Sequence, residues 1–111
     1  MPLKIYFTDE SMTVYLSGEI DHHGAKGMRQ EIDETAQRVL PNEMILDFRD
    51  VTFMDSSGIG LVMGRYALMR DLCGTLKITN LSSHIKKVMK LAGLDKLVVI
   101  EDNEDLHYKT K

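Results

Sequence analysis

The beginning of the chain alternates or mixes apolar and polar residues over two short stretches, Leu3–Phe7 and residues 12–16. A polar segment at residues 9–11 separates the two stretches. Alternation at every second residue is typical of half-buried strands, because successive side chains of a strand point to opposite faces. We therefore predict that the chain opens with two adjacent strands, paired antiparallel across a short connection.

Helical spacing replaces this alternation after the second strand. Apolar residues recur every three or four positions over residues 25–40, and Pro41 stops the run. The same spacing returns in residues 59–72, and a third helix is predicted between Ser82 and Gly93. Short apolar runs between these helices predict further strands at residues 44–48, 75–79 and 97–100.

The order of these elements predicts the fold class. Strands that are joined through helices pair in parallel, with right-handed crossovers. The pattern therefore indicates an α/β fold with a mixed β-sheet, in which an opening antiparallel hairpin is followed by alternating strands and helices. A chain of 111 residues has the size of one domain, which we expect to span residues 1–111.

The most informative stretch for function is the junction of a buried strand with the second helix, Met-Asp-Ser-Ser-Gly-Ile-Gly at residues 54–60. It places two hydroxyls and a carboxylate at or near a helix N-cap. Backbone N–H groups lack intrahelical partners there, so an anion on a serine would be stabilised. The spacing also suits a plain cap, with Ser56 or Ser57 accepting from the helix and with Gly58 and Gly60 allowing close packing. Spacing alone leaves both interpretations open.

Three stretches of the chain together resemble the anti-sigma-factor antagonists of the STAS family, and its sporulation members in particular. They are residues 53–60, residues 16–23 with the sequence Leu-Ser-Gly-Glu-Ile-Asp-His-His, and residues 64–66 with the sequence Gly-Arg-Tyr. The resemblance covers nearly the whole chain and weakens in the charged tail after Glu101. It implies a STAS-like single domain that is a small regulatory protein and not an enzyme.

The resemblance also implies a mechanism. In that family the first serine after the aspartate is the phosphate acceptor, and this serine is Ser56 here. The unphosphorylated protein would bind an anti-sigma factor serine kinase and release the sigma factor. Phosphorylation of Ser56 would block this binding, and a PP2C-type serine phosphatase would restore the active form. We expect no cofactor in this chain, because it lacks a G-x-x-x-x-G-K-[ST] loop and any nucleotide would belong to the kinase.

A second polar segment precedes the first helix and contains Glu19, Asp21, His22 and His23. These are metal-ligand residue types, but adjacent histidines point in different directions and no H-E-x-x-H spacing is present, so we predict no metal site. We instead expect Asp21 to begin the helix by accepting from backbone N–H groups, with both histidines on the surface. In the STAS family this loop lies near the serine and helps to form the partner-binding surface.

The second helix carries more apolar residues than one sheet-facing stripe can bury. On a helical wheel its leucines, with Val62 and Met69, form the predicted core face. Ile59 and Met63 lie toward the other side, where they either offer apolar contacts beside Ser56 or fill gaps in the core. The predicted partner-binding residues are Asp21, His22, His23, Asp55, Ser56, Ser57, Gly58, Ile59 and Met63.

Composition and charge argue against several other classes of protein. A net charge of −3 lacks the basic footprint of a nucleic-acid-binding domain. No apolar run approaches the length of a membrane span, and no basic segment followed by an apolar one stands near the amino terminus. Cys73 is predicted to be a small buried hydrophobe in a reducing compartment. We therefore expect a cytoplasmic protein without nucleic-acid or membrane partners.

Two kinds of alternative remain open. Other STAS proteins antagonise anti-sigma factors of general stress pathways or serve transport systems, and the serine motif alone does not separate these roles. A small serine hydrolase would need Ser56 or Ser57 as nucleophile and a histidine base within reach. The junction is not G-x-S-x-G, so the nucleophile elbow of the α/β-hydrolases is missing. The histidines available as a base are His22, His23, His84 and His107.

Overall fold

The computed structural model describes residues 3–101 and contains, within them, one five-stranded sheet whose strands follow the order of the chain. The first two strands are antiparallel, and each later strand pairs in parallel with the one before it. The predicted hairpin and the predicted parallel sheet are thus confirmed. The elements are β1 Leu3–Phe7, β2 Ser11–Ile20, α1 His22–Val39, β3 Glu43–Met54, α2 Ser56–Asp71, β4 Thr75–Thr79, α3 Ser83–Leu91, a 3-10 turn Leu94–Lys96 and β5 Val99–Glu101.

The two central strands are much longer than predicted. The second strand continues past residue 16 to Ile20, and the third continues past residue 48 to Met54. Two register shifts interrupt their pairing, and Gly18 adopts a φ of 78° beside the second one. Both shifts insert an extra residue in β3 and break its alternation of polarity, which explains why the second half of β3 escaped the pattern. The second half of β2 escaped it because Ser17, Gly18 and Glu19 form a polar run without alternation.

The hydrophobic core lies between the helices and one face of the sheet. Because the parallel strands follow one another in chain order, right-handed crossovers place all three helices on the same face. The predicted core face of α2 is confirmed for Leu61, Val62 and Met69, which are buried, whereas Leu68 and Leu72 are partly buried against the core. No helix within residues 3–101 is long and apolar enough to cross a membrane.

The prediction that Cys73 is buried was wrong, because its side chain is exposed. The second helix ends at Asp71, and Cys73 follows in the left-handed conformation with a φ of 62°. The Gly74 N–H donates to the Met69 carbonyl at 2.7 Å, which completes a Schellman-type turn. This turn directs the Cys73 side chain away from the core.

An ion pair joins α1 to α2 behind the junction. Arg65 on α2 is only 4% exposed, and its Nη2 donates to Asp33 Oδ2 on α1 at 3.2 Å. The Arg65 Nε atom lies 2.9 Å from Asp33 Oδ1, but its N–H is not directed at that oxygen, so this contact is an ion pair without a hydrogen bond. Burial raises the pKa of Asp33, against the charges of Arg65 and Arg29, and burial lowers the pKa of Arg65. The pair therefore fixes how the two helices pack rather than adding much stability.

Removing one partner of this ion pair should lower the free energy of unfolding more than removing both partners. Asp33→Ala should lower the free energy of unfolding by about 2 kcal/mol, because it leaves the Arg65 charge buried and unpaired. Adding Arg65→Met should recover part of that loss. The matched control Glu34→Ala, at an exposed neighbour, should stay within about 0.5 kcal/mol of the parent. Urea unfolding of the four proteins measures these differences, and a double variant no more stable than Asp33→Ala would contradict the coupling.

Candidate functional site

Two aspartates stand side by side where β2 and β3 end. Ile20 pairs with Met54 at the last position of the two parallel strands, so the residues that follow, Asp21 and Asp55, begin neighbouring helices at one edge of the sheet. The Asp55 N–H donates to the Ile20 carbonyl at 3.2 Å and ties the two junctions together. The carboxyl edge of parallel strands is where α/β proteins place their binding sites. This geometry brings the two polar segments of the sequence into one surface.

Both aspartates are helix caps. The Oδ1 atom of Asp21 accepts from the Gly24 N–H at 2.7 Å, and the Oδ1 atom of Asp55 accepts from the Ser57 N–H at 2.8 Å. The role expected for Asp21 is confirmed. The suggestion that a serine caps the second helix was wrong. Asp55 has the extended conformation of an N-cap, and its carboxylate accepts from the backbone N–H of Ser57.

Ser56 therefore does not cap the helix. It is the first residue of α2, its side chain is exposed, and its hydroxyl makes no hydrogen bond to another residue in the described range 3–101. Ser57 is half-buried and turns toward α1. Of the two adjacent hydroxyls, that of Ser56 is the one open to a partner or a modifying enzyme.

Gly58 lets the first turn of α2 press against the end of β3. Its backbone is buried, and a Cβ atom added there would overlap Cγ and Sδ of Met54. The Gly58 N–H also donates to the Asp55 carbonyl at 3.0 Å. Gly60, one half-turn further on, has open space where a Cβ would stand. Close packing therefore explains Gly58 but not Gly60.

The other predicted contact residues divide between surface and core. Met63 is 47% exposed, which agrees with the interpretation that it offers an apolar contact beside Ser56. Ile59 is half-buried and packs against the core, which agrees with the other interpretation. His22 and His23 are exposed in the first turn of α1, as expected. Between Leu3 and Glu101 no three histidine, cysteine or acidic side chains gather closely enough to hold a metal ion.

A groove of about 270 Å³ runs between the first turns of α1 and α2. Its α1 wall carries His22, Lys26 and Arg29, which share one face of the helix, and its α2 wall includes Ser57 and Gly60. Lys26 and Arg29 were not predicted as site residues from the sequence. Their shared face could have been predicted from their spacing, because residues four and seven positions after His22 lie on the same side of a helix. Only the packing of α1 against α2 shows that this face borders the serines.

The geometry gives no support to a serine hydrolase. Within residues 3–101, no histidine side chain forms a hydrogen bond with Ser56 or Ser57, and the Ser57 N–H is already committed to Asp55. His107, the remaining candidate base, lies outside the described residues. The Oδ1 atoms of Asp21 and Asp55 are engaged in capping, and no residue in the described range forms a hydrogen bond that would activate either serine hydroxyl.

Comparison with known proteins identifies the family. The model of the STAS domain matches residues 3–107, and the chain therefore belongs to the STAS domain family. An anti-sigma F factor antagonist of Paenibacillus polymyxa is 36% identical over 93 residues, which cover 84% of this chain and 80% of that protein. An anti-sigma-B factor antagonist of Bacillus subtilis is 28% identical over 92 residues, with 83% of each chain covered.

Solved structures agree with this grouping. The anti-sigma factor antagonist SpoIIAA in its unphosphorylated form matches with a TM-score of 0.79 at 28% identity, over 97% of this chain and 95% of that one. The Bacillus cell fate determinant SpoIIAA in its phosphorylated form matches with a TM-score of 0.72 at 28% identity, over 98% and 99% of the two chains. The chain thus groups with the anti-sigma factor antagonists, which are regulatory proteins and not enzymes.

Two of the glycines of α2, Gly58 and Gly60, should respond oppositely to alanine. Gly58→Ala should lower the free energy of unfolding by about 1–3 kcal/mol, because Met54 and the helix must move apart. Gly60→Ala is the matched control and should be neutral or stabilising by up to about 1 kcal/mol, since glycine weakens a helix where nothing needs it. Thermal or urea unfolding measures both, and equal effects would show that the Gly58 contact is not tight.

Proposed function

We propose that this protein is a phosphorylation-switched anti-sigma-factor antagonist and that Ser56 is its phosphate acceptor. The observation that carries the proposal is the position of Ser56. Its hydroxyl is exposed at the first position of α2 and is not used by the helix cap, which Asp55 provides. A modifying enzyme can therefore reach it without unfolding the helix.

The partner of the unphosphorylated form is an anti-sigma factor that is also a serine kinase. Binding releases the sigma factor, which then supports transcription in the cytoplasm, and the chain acts as a single domain. In the reverse step the Ser56 oxygen attacks the γ-phosphorus of the kinase's ATP, the bond to the β-phosphate breaks, and ADP and a proton leave. A PP2C-type serine phosphatase hydrolyses the phosphoserine and regenerates the binding form.

The switch acts through charge at a docking surface. A phosphoserine adds about −1.5 to −2 charges. At a separation of ~5 Å and an effective dielectric constant near 20, each pair of unit charges with a partner carboxylate opposes binding by about 3 kcal/mol. This corresponds to roughly a hundredfold loss of affinity. The surface that carries this charge comprises Asp21, His22, His23, Asp55, Ser56, Ser57, Gly58, Ile59 and Met63.

A second candidate is an antagonist in a general stress pathway, since the chain also resembles an anti-sigma-B factor antagonist. The identity to that relative is 28%, against 36% for the anti-sigma F factor antagonist. The difference favours the sporulation role. A pull-down from native cell extract with unphosphorylated protein and ADP distinguishes the two by the sigma factor that the captured kinase controls.

The acceptor serine can be identified directly. Incubation with the captured kinase and ATP, followed by fragment mass spectrometry, should place the phosphate on Ser56. Ser56→Ala should fold, bind the kinase and resist phosphorylation, whereas Ser56→Asp should fold but bind weakly. Neither change should cost more than about 0.5 kcal/mol of stability, because Ser56 is exposed and caps nothing. Phosphate on Ser57 with Ser56 unmodified would refute the assignment.

Met63 should contribute to binding more than to folding. Met63→Ala should weaken kinase binding by about 1–2 kcal/mol and change stability by less, because nearly half of the side chain is exposed. Ile59→Ala should lower stability more than Met63→Ala does, since Ile59 packs against the core. Leu91→Ala is the control, an apolar residue on α3 that is 84% exposed. Titration calorimetry showing the same affinity for Met63→Ala and Leu91→Ala would remove Met63 from the interface.

A further inference from the structure

A phosphate on Ser56 would be repelled by the two carboxylates that cap α1 and α2, and the N-terminus of α2 does not fully offset this repulsion. At the start of each helix one N–H group, that of Gly24 in α1 and that of Ser57 in α2, already donates to a carboxylate, Asp21 or Asp55. Asp55 immediately precedes the serine, and Asp21 stands at the end of the neighbouring strand. The carboxylates of Asp21 and Asp55 are negative and oppose a dianion on the serine.

The groove between the two helices offers the opposite charge. His22, Lys26 and Arg29 line its α1 wall, and within residues 3–101 none of their cationic groups lies within 4.0 Å of a carboxylate oxygen. All three side chains are exposed and can turn toward an anion. Arg29 also lies near enough to Asp33 and Arg65 to affect the pKa of both groups, so the buried pair adjoins the inner end of this wall.

The α2 wall of the groove leaves room beside the serine. Gly60 lies one turn after Ser56, on an adjoining part of the same helical face. It is exposed, and no atom lies within 4 Å of the position that a Cβ would occupy there. Ser57 also borders the groove. Ser56 does not itself line the groove, but Ser57 beside it and Gly60 one turn further on both do, so a phosphate on Ser56 would lie at the edge of a groove whose far wall is basic.

We infer that this groove is an intramolecular anion site that receives the phosphate carried by Ser56, with Lys26 and Arg29 as its main cationic contacts and His22 as a third when protonated. The inference rests on the proposed function, because it presumes that Ser56 is phosphorylated. The groove offsets the repulsion from the two capping aspartates and holds the phosphate on the side of α1. The phosphorylated form is thereby stable as a folded protein while its docking surface carries the added charge.

The test measures the ionisation of the phosphate itself. Phosphoserine is installed at position 56 of the full chain by genetic code expansion, so that the result does not depend on any kinase. The second pKa of the phosphate, followed by phosphorus NMR, should lie below its ordinary value of about 6. Lys26→Gln and Arg29→Gln should each raise it by about 0.5 pH unit. Lys96→Gln, in the 3-10 turn before β5, is the control and should leave it unchanged.

The outcomes separate this inference from the proposed function. Equal phosphate pKa values in the parent, Lys26→Gln and Arg29→Gln proteins would overturn the intramolecular site, whatever the kinase does. If the phosphate pKa does not move but Lys26→Gln weakens kinase binding by the unphosphorylated protein, the groove binds acidic residues of the partner, and the inference is wrong. Failure of the kinase to modify Ser56 would instead refute the proposed function. Circular dichroism melts confirm that each variant is folded.

Discussion

The parallel pairing of β2 with β3 through to Ile20 and Met54 is the constraint on which the rest of the site depends. Parallel neighbours end at the same edge, so the two helices that follow must begin beside one another. The hydrogen bond from the Asp55 N–H to the Ile20 carbonyl fixes that edge. The loop with the histidines and the loop with the serines are therefore one surface, although 34 positions separate Asp21 from Asp55 in the sequence.

The residues at the junction of β3 with α2 have different roles. Asp55 supplies the cap, Gly58 permits the contact with Met54, and Ser56 has neither task. A residue with no structural task can be modified at little cost to the fold, and the ion pair between Asp33 and Arg65 holds the helices in place behind it. The surface is thus preformed, as the proposed switch by charge requires.

Much of this was predictable from the sequence. The opening hairpin, the parallel order and the cap at Asp21 follow from local patterns that the structure confirms. The far end of β3 was not predictable, because its bulges break the alternation on which strand prediction depends. The far end of β2 was not predictable either, because Ser17, Gly18 and Glu19 form a polar run. Asp55 was overlooked as a cap because a neighbouring serine offers the same chemistry. The basic groove depends on how α1 packs against α2, and no local pattern contains that information.

The central claim, that phosphorylation acts on a preformed surface through charge, is tested most directly by the salt dependence of kinase binding. The affinities of the unphosphorylated and phosphorylated proteins should differ about a hundredfold at low salt. The ratio should shrink several-fold between about 0.05 and 0.5 M salt, because the screening length shortens from about 14 Å to about 4 Å over this range. A ratio that does not change with salt, together with shifted amide NMR signals throughout α1 and α2, would show that the switch is conformational.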